Sequence, residues 1–415
     1  EKLTHVDLIN ELAKKNWLSC IYFCFSRANT ERKAEELSRR RDPLSGQQSV
    51  LMQRIISAKL ATTDPAVAQL GTTRLLVYCL ERGVAFHHAG ILPILKEMVE
   101  ESFSAGLLSV LYATETFAVG INLPARSVCF DTLEKYDGIH FRYLNGKEYF
   151  QLAGRAGRRG LDSVGYAISI VDPEFADLQK IEHLVLDDKE PLRSQYQLSY
   201  NTILNLISNH TPEERALILQ SSFSTYQAGN RQKVLASYET KVKRLESLGY
   251  LHNGLLSKEG EFARRVYNHE LILTELFTST IGDGLSPFDM ILIAASLEYE
   301  QKRTTSFARL PAPFAKQLLA TFAHYPGIHK FFKESSIEHL EPLLHAWYKG
   351  EGFANLLDIT TMPEGDIVRF MRRIIDVLSQ VLHASAQVDP EADALRDKIS
   401  SAIAAIDRGI VQVTL

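Results

Sequence analysis

Apolar runs short enough to be single strands, set between charged stretches of helical pattern, constrain the first part of this chain more than any other feature. The runs are Cys20 to Phe25, Val84 to Phe86, Leu107 to Tyr112, Ser127 to Phe130 and Gly165 to Val171. Between them Asn29 to Arg40 is charged and helical in pattern, and Leu92, Leu95, Met98, Val99 and Phe103 recur at helical spacing. Strands that alternate with helices are joined by crossovers, which makes the sheet parallel. Residues 1–175 are therefore expected to form one α/β domain, with its ligands outside the carboxyl ends of the strands. After Pro173 the pattern turns helical, and the 415 residues leave room for further domains of ~100–200 residues each.

Composition narrows the class of partner less than the patterning does. Hydrophobic residues make up 45% and the net charge is −4, as in an ordinary globular protein, so nucleic-acid binding must be argued from local basic grooves. Cys20, Cys24, Cys79 and Cys129 sit in apolar surroundings without C-x-x-C spacing, and read as buried thiols of a reducing compartment. The longest apolar runs, such as Trp17 to Phe25, fall short of the ~18 residues of a membrane span. The chain opens on Glu1 and not on methionine, which suggests an excised fragment or a processed product.

Two blocks carry chemistry. Gln151 is followed by Gly154, Arg155, Gly157, Arg158, Arg159 and Gly160; guanidinium forks pair bidentately with phosphate oxygens, and glycines let the backbone come close. Upstream lies Ala113-Thr114-Glu115-Thr116-Phe117-Ala118-Val119-Gly120-Ile121-Asn122-Leu123-Pro124. In this order the blocks resemble motifs VI and V of superfamily-two helicases, in particular the DExH branch with the superkiller-type RNA helicases. The resemblance implies that the α/β domain is RecA-like and the second of two; since ligands sit outside the carboxyl ends of the strands, both motifs are expected to converge on that one edge, which by resemblance faces the first domain across an ATP cleft.

Carried over residue by residue, the resemblance places Gln151 and Arg158 at the γ-phosphate as catalytic groups, with Arg155 beside them on phosphate or on the opposing domain. Gly120 and Asn122 match positions near the ribose and the interdomain contact. Thr114 and Thr116 match positions that hold the nucleic-acid backbone, where short hydroxyls position a strand without reading its sequence. Ser26 and Arg27 match motif IV, and His87-His88-Ala89-Gly90 matches a segment that opens a helix near RNA. Plainer readings stand beside these: a solvated arginine face, threonine caps, and packed histidines, since no Cys, Asp or Glu partner stands at metal-ligand spacing.

The chain contains no Gly-x-x-x-x-Gly-Lys-Ser/Thr loop and no Asp-Glu-x-His box. Asn145-Gly146-Lys147-Glu148 has a carboxylate where a magnesium-binding hydroxyl would stand. ATP and its Mg2+ are thus expected to be held by a first RecA-like domain, in cis or in trans, and the chain alone is expected to be inactive as an ATP hydrolase.

Asp137-Gly138 and Asn145-Gly146 bracket Phe141 and Tyr143 as turn dipeptides. Related helicases place a strand-separating hairpin here; a plain surface hairpin explains the residues equally. Pro191 to Leu206, with Leu245 to Leu251 and Leu256 to Gly260, resembles the winged-helix domain of the family, giving 176–267 as that domain. The short polar stretch from Ala228 to Val234 leaves no room for the arch of the eukaryotic members. Residues 268–415 resemble the all-α ratchet domain. In it Ile367, Met371, Ile374, Leu378 and Val381 form an apolar stripe, and Asp366, Arg369, Arg373, Asp376 and Gln380 a polar one. Glu364 and Arg369 match positions near RNA, although Glu364 also completes a capping box with Thr361.

The expected function is that of the C-terminal part of an ATP-dependent RNA helicase, acting on single-stranded or structured RNA and associated with an RNA-degradation complex. A cytoplasmic protein is expected, or a nuclear one in a eukaryote, with no membrane partner. A DNA helicase of the same branch and a non-catalytic RNA-binding scaffold are the alternatives.

Overall fold

The computed structural model describes residues 3–412 except 119–122, 173, 175, 187–193, 195–197, 223–224, 227–230 and 390. Two compact units emerge, residues 1–191 with 363–366, and residues 192–362 with 367–415.

The first unit is built on a parallel sheet of strands β1 (Cys20–Phe23), β2 (Val84–His87), β3 (Val110–Ala113), β4 (Ser127–Phe130) and β7 (Tyr166–Ser169), in the order β2-β3-β1-β4-β7. Cys20 pairs in register with Val110 on one side and with Ser127 on the other. Every residue of β1 to β4 is buried, as expected where helices cover both faces of a parallel sheet. The helix Pro93–Ser104 begins with proline at its first turn and buries Leu95, Met98, Val99 and Phe103, the stripe read from the sequence. All four cysteines are buried and free. A short antiparallel pair, β5 (Glu134–Tyr136) with β6 (Phe141–Tyr143), projects after β4.

In the second unit, helices Tyr200–Asn209, Pro212–Gln220 and Arg231–Ser247 precede a two-stranded hairpin, β8 (Leu251–His252) and β9 (Leu255–Leu256), and the helix Lys258–Ala263. Ile203, Leu204, Ile207, Leu245, Tyr250, Leu251 and Ala263 form their shared core. The Asn201 amide locks this group by donating to the carbonyls of Arg264 and Val266, both at 2.8 Å. Helices Pro313–Phe322, Ile337–Tyr348 and Asp393–Ile406 pack on Pro287–Glu298, which is buried at every position from Met290 to Glu298; a helix without a polar face over that length belongs in a core. Of the segment from Pro191 to Leu206, residues 191–193 and 195–197 lie outside the described part, as do residues 228–230 of the polar stretch before the helix Arg231–Ser247. Among the described residues no helix is long and apolar enough to cross a membrane.

Candidate nucleotide and nucleic-acid interface

Motif V begins where β3 ends. The Thr114 N–H donates to the His87 carbonyl at 3.1 Å, and a single 3-10 turn, Glu115–Ala118, follows. Thr114 Oγ1 and Thr116 Oγ1 lie 2.9 Å apart, a hydroxyl pair at the carboxyl ends of β2 and β3. Gly120 and Asn122 lie outside the described residues. From Leu123 the chain is at the amino end of β4, where Ala125 forms a parallel bridge with Ala156. Ala125 donates to the Arg155 carbonyl at 3.0 Å, and the Gly157 N–H donates back to Ala125 at 2.7 Å. The two motifs therefore do not meet at the carboxyl edge as the sequence suggested. In an all-parallel sheet the connection from β3 to β4 must cross the full height of the sheet, so Thr114 and Thr116 stay at one edge while only the tail of motif V joins motif VI at the other.

Asn145-Gly146 is not the second turn of the hairpin. Asn145 caps the helix Gly146–Ala153 in a reciprocal box with Glu148, with bonds of 2.8 and 2.9 Å. Gln151 is exposed on this helix, and the loop after it carries the arginines. Arg158 grips Asp162 with both ends of its fork, Nε to Oδ2 at 2.8 Å and Nη2 to Oδ1 at 2.9 Å, and adds its backbone N–H at 3.0 Å. These hydrogen bonds hold the Asp162 carboxyl at about 2 and raise the Arg158 guanidinium above its ordinary value. The Asp162 side chain is only 3% exposed, whereas the Arg158 side chain is one-third exposed and lines an open cleft of about 940 Å³ with Leu123, Pro124, Arg41, Arg82 and Arg159. This cluster of guanidinium groups at a glycine-containing loop fits a polyphosphate. Gly165 explains how the loop lies flat: a Cβ there would stand 2.4 Å from the Ala156 carbonyl carbon and 2.5 Å from the Gly157 nitrogen. Asp162 and Gly165 were missed in the sequence because neither is part of the quoted motif.

An ion network ties the hairpin to both motifs. Lys135 bridges Glu115 of motif V at 2.7 Å and Glu148 of the motif VI helix at 2.8 Å, and Arg142 holds Glu148 bidentately. Burial would push the Glu148 carboxyl up, but the bonds from Arg142, Lys135 and Asn145 outweigh it and hold it at about 2. At the hairpin's end Phe141 and Ile139 are about three-quarters exposed, and Phe141 leans on Tyr136 across the strands.

At the carboxyl ends of β1 and β2 a second group comes together. The exposed Ser26 caps the helix Arg27–Ser38 by accepting from Asn29 at 3.4 Å. Arg27 pairs with Asp366 through Nη1 to Oδ2 at 2.7 Å. The buried His88 accepts the Gly90 N–H at Nδ1, so its Nε2 carries the proton and donates to Glu31 at 2.9 Å. Gly90 accepts from the Gly365 N–H at 2.8 Å, an approach that requires glycine at 365, because a Cβ there would stand 2.2 Å from the Ile91 oxygen. Asp366 is thus buried and not part of the polar stripe. The capping box of Thr361 with Glu364 is also absent: the helix starts at Glu364, and Thr361 Oγ1 accepts from the Ser306 N–H. Glu364 is 8% exposed with Oε2 unpartnered, and its burial, reinforced by the charge of Glu31, pushes the carboxyl up to about 7 against a weaker opposing bond from Thr72.

In the second unit the helix Glu364–Val388, from Ile367 onward, carries the apolar stripe expected and most of the polar one. Ile367, Met371, Ile374, Leu378 and Val381 are fully buried, while Arg369, Arg373 and Asp376 are exposed. Arg373 donates from Nε to the buried Glu298 at 2.6 Å. Among the described residues no group of His, Cys, Asp and Glu is placed to hold a metal ion.

Residues 47–160 match the helicase conserved C-terminal domain, and residues 253–414 match the DSHCT (NUC185) domain. The chain is 42% identical over 209 residues to Superkiller complex protein 2 from Homo sapiens, covering 49% of this chain and 16% of that protein. It is 34% identical over 241 residues to the Exosome RNA helicase MTR4 from Homo sapiens, covering 58% and 22%. With the Antiviral helicase SKI2 from Saccharomyces cerevisiae the identity is 35% over 248 residues, covering 59% and 19%. A RecA-like α/β unit bearing motifs V and VI and followed by helical domains defines a helicase C-terminal part. The two domain matches and these relatives together support a C-terminal part of a superkiller-type DExH RNA helicase, and the chain spans about a fifth of the length of the relatives it matches.

Proposed function

We propose that this chain supplies the second RecA-like domain (1–175), a winged-helix domain (176–267) and a helical ratchet domain (268–415) to an ATP-dependent enzyme that translocates on and unwinds RNA, in the cytoplasm or in a eukaryotic nucleus. ATP and Mg2+ would be held on a first RecA-like domain. Arg158 acts as the arginine finger, with Arg155 and Gln151 beside it and Gly120 and Asn122 toward the ribose. The observation that carries this reading is the Arg158–Asp162 pair at the mouth of the basic cleft: a guanidinium already set for a bidentate carboxylate is set equally for two phosphoryl oxygens. Thr114, Thr116 and Arg369 contact the RNA backbone. Ser26, Arg27, His88, Gly90 and Glu364 shape the RNA path by fixing the first turn of the helix Glu364–Val388. The helix pattern and hairpin of residues 200–263 support the winged helix, and the names of the relatives support RNA and an RNA-degradation complex.

The test supplies a first RecA-like domain, linked or separate, and measures ATP hydrolysis and unwinding. Arg158→Ala should lower turnover on the order of 10³-fold or more. Arg369→Ala should spare ATP hydrolysis and weaken RNA binding, most visibly as a shallower salt dependence. Identical profiles for the two variants would refute the division of roles.

A further inference from the structure

Tyr267 lies between the helices Lys258–Ala263 and Glu270–Thr278 and exposes 68% of its surface. Its ring makes no aromatic or cation–π contact among the described residues, yet its backbone is fixed. The Tyr267 N–H donates to Gln380 Oε1 at 2.9 Å, and Gln380 in turn donates to Asp376 Oδ2 at 2.8 Å. On one side the buried Val266 is held through its carbonyl by Asn201. On the other, His269 sits in the left-handed region with φ 55° and its Nε2 3.9 Å from Glu298 Oε1. A ring exposed by a loose loop would need no explanation; one presented by a segment pinned at both ends is a preorganised flat surface.

The helix beside it presents cations to solvent: Arg369 is exposed, and Arg373, although it bridges the buried Glu298, keeps 47% of its side chain exposed. Arg373 and Gln380 stand seven residues apart on one helix, two turns or roughly 10 Å along its axis. A strand whose phosphates lie on Arg369 and Arg373 therefore brings its next bases beside the ring. We propose that Tyr267 is a base-stacking residue for single-stranded RNA, forming the aromatic side of a track whose ionic side is Arg369 and Arg373. This inference rests on the reading of the helix Glu364–Val388 as an RNA contact.

The experiment uses the full chain and a uridine oligoribonucleotide carrying 2-aminopurines, whose emission falls when a base is stacked. Wild type and Tyr267→Phe should bind in a salt-dependent manner and quench the probe. Tyr267→Ala, with an unchanged far-UV circular dichroism spectrum, should lose most of the quench and about 5- to 150-fold in affinity, from stacking worth ~1–3 kcal/mol per base. If Arg369→Ala weakens binding while Tyr267→Ala alters neither quench nor affinity, the stacking role is wrong and the RNA reading of the helix survives. If Arg369→Ala leaves binding unchanged and the quench persists in Tyr267→Ala, both fail.

Discussion

Replacing Glu364 by glutamine should make the protein more stable in alkaline solution and nearly neutral in effect in acid. The carboxyl is buried with Oε2 unpartnered, and its folded value of about 7 stands above its ordinary 4.5. A raised carboxyl contributes fully below 4.5, in the protonated form, and loses that contribution as pH rises through about 7. The difference of two to three pH units corresponds to about 3 kcal/mol between pH 4.5 and pH 8. Arg27 lies nearby but is committed to Asp366, and His88 to Glu31, so neither neutralises the Glu364 charge by direct contact. Glutamine keeps the size and removes the charge. At ~2–4 °C per kcal/mol for a unit of this size, the melting temperature of Glu364→Gln should exceed that of the unsubstituted chain by roughly 6–12 °C at pH 8. The two should converge only at about pH 4.5 and below. Differential scanning fluorimetry across pH 4–9 measures this directly. A difference that is constant with pH, or a variant less stable at pH 8, would show that the carboxylate is solvated or paired and that the argument from burial is mistaken.

Other substitutions probe other contacts. Gly165→Ala forces a Cβ into the Ala156–Gly157 backbone and should unseat the motif VI loop, read as faster amide hydrogen exchange at Gly157 without loss of the remaining sheet. Phe141→Ala removes an exposed ring from the hairpin and should lower unwinding by the completed enzyme while sparing RNA-stimulated ATP hydrolysis; equal losses in both would make the hairpin a structural element. Glu148→Gln breaks the bridges to Lys135 and Arg142 and should destabilise the first unit near neutral pH. Since the Glu148 carboxyl is held at about 2, that difference should persist above its ordinary 4.5 and fade only as pH falls through about 2, a course followed by urea titration.

The parallel sheet was legible because alternation of buried strands with amphipathic helices is a local pattern, and each apolar run named from the sequence contains or overlaps a strand. The stripes of the helix Glu364–Val388 were legible for the same reason, up to the point where tertiary contacts take over. Asp366 has the spacing of a solvated position, yet the backbone contact of Gly365 with Gly90 draws the helix start inward and hands Asp366 to Arg27. Asn145-Gly146 carries the letters of a hairpin turn, and only Glu148 three residues on marks it as a cap. The separation of Thr114 from Arg158 was invisible because it follows from strand order and direction, which periodicity does not encode. Asp162 could have been found: an acid four residues after an arginine is a natural partner for it.

The bridge between Ala125 and Ala156 has a kinetic consequence. The segment bearing Arg155 and Arg158 is hydrogen-bonded on both sides of Ala156 to the chain entering β4, so it behaves as an extension of the sheet and not as a free loop. Arg158 can exchange Asp162 for another anion by rotating about its side-chain bonds while the backbone stays in place. Rotamer changes of this kind take picoseconds to nanoseconds, whereas collective motions of domains take microseconds to milliseconds. In the proposed enzyme, the delay before a nucleotide is fully engaged would then be set by the approach of the surfaces around it and not by the arginine.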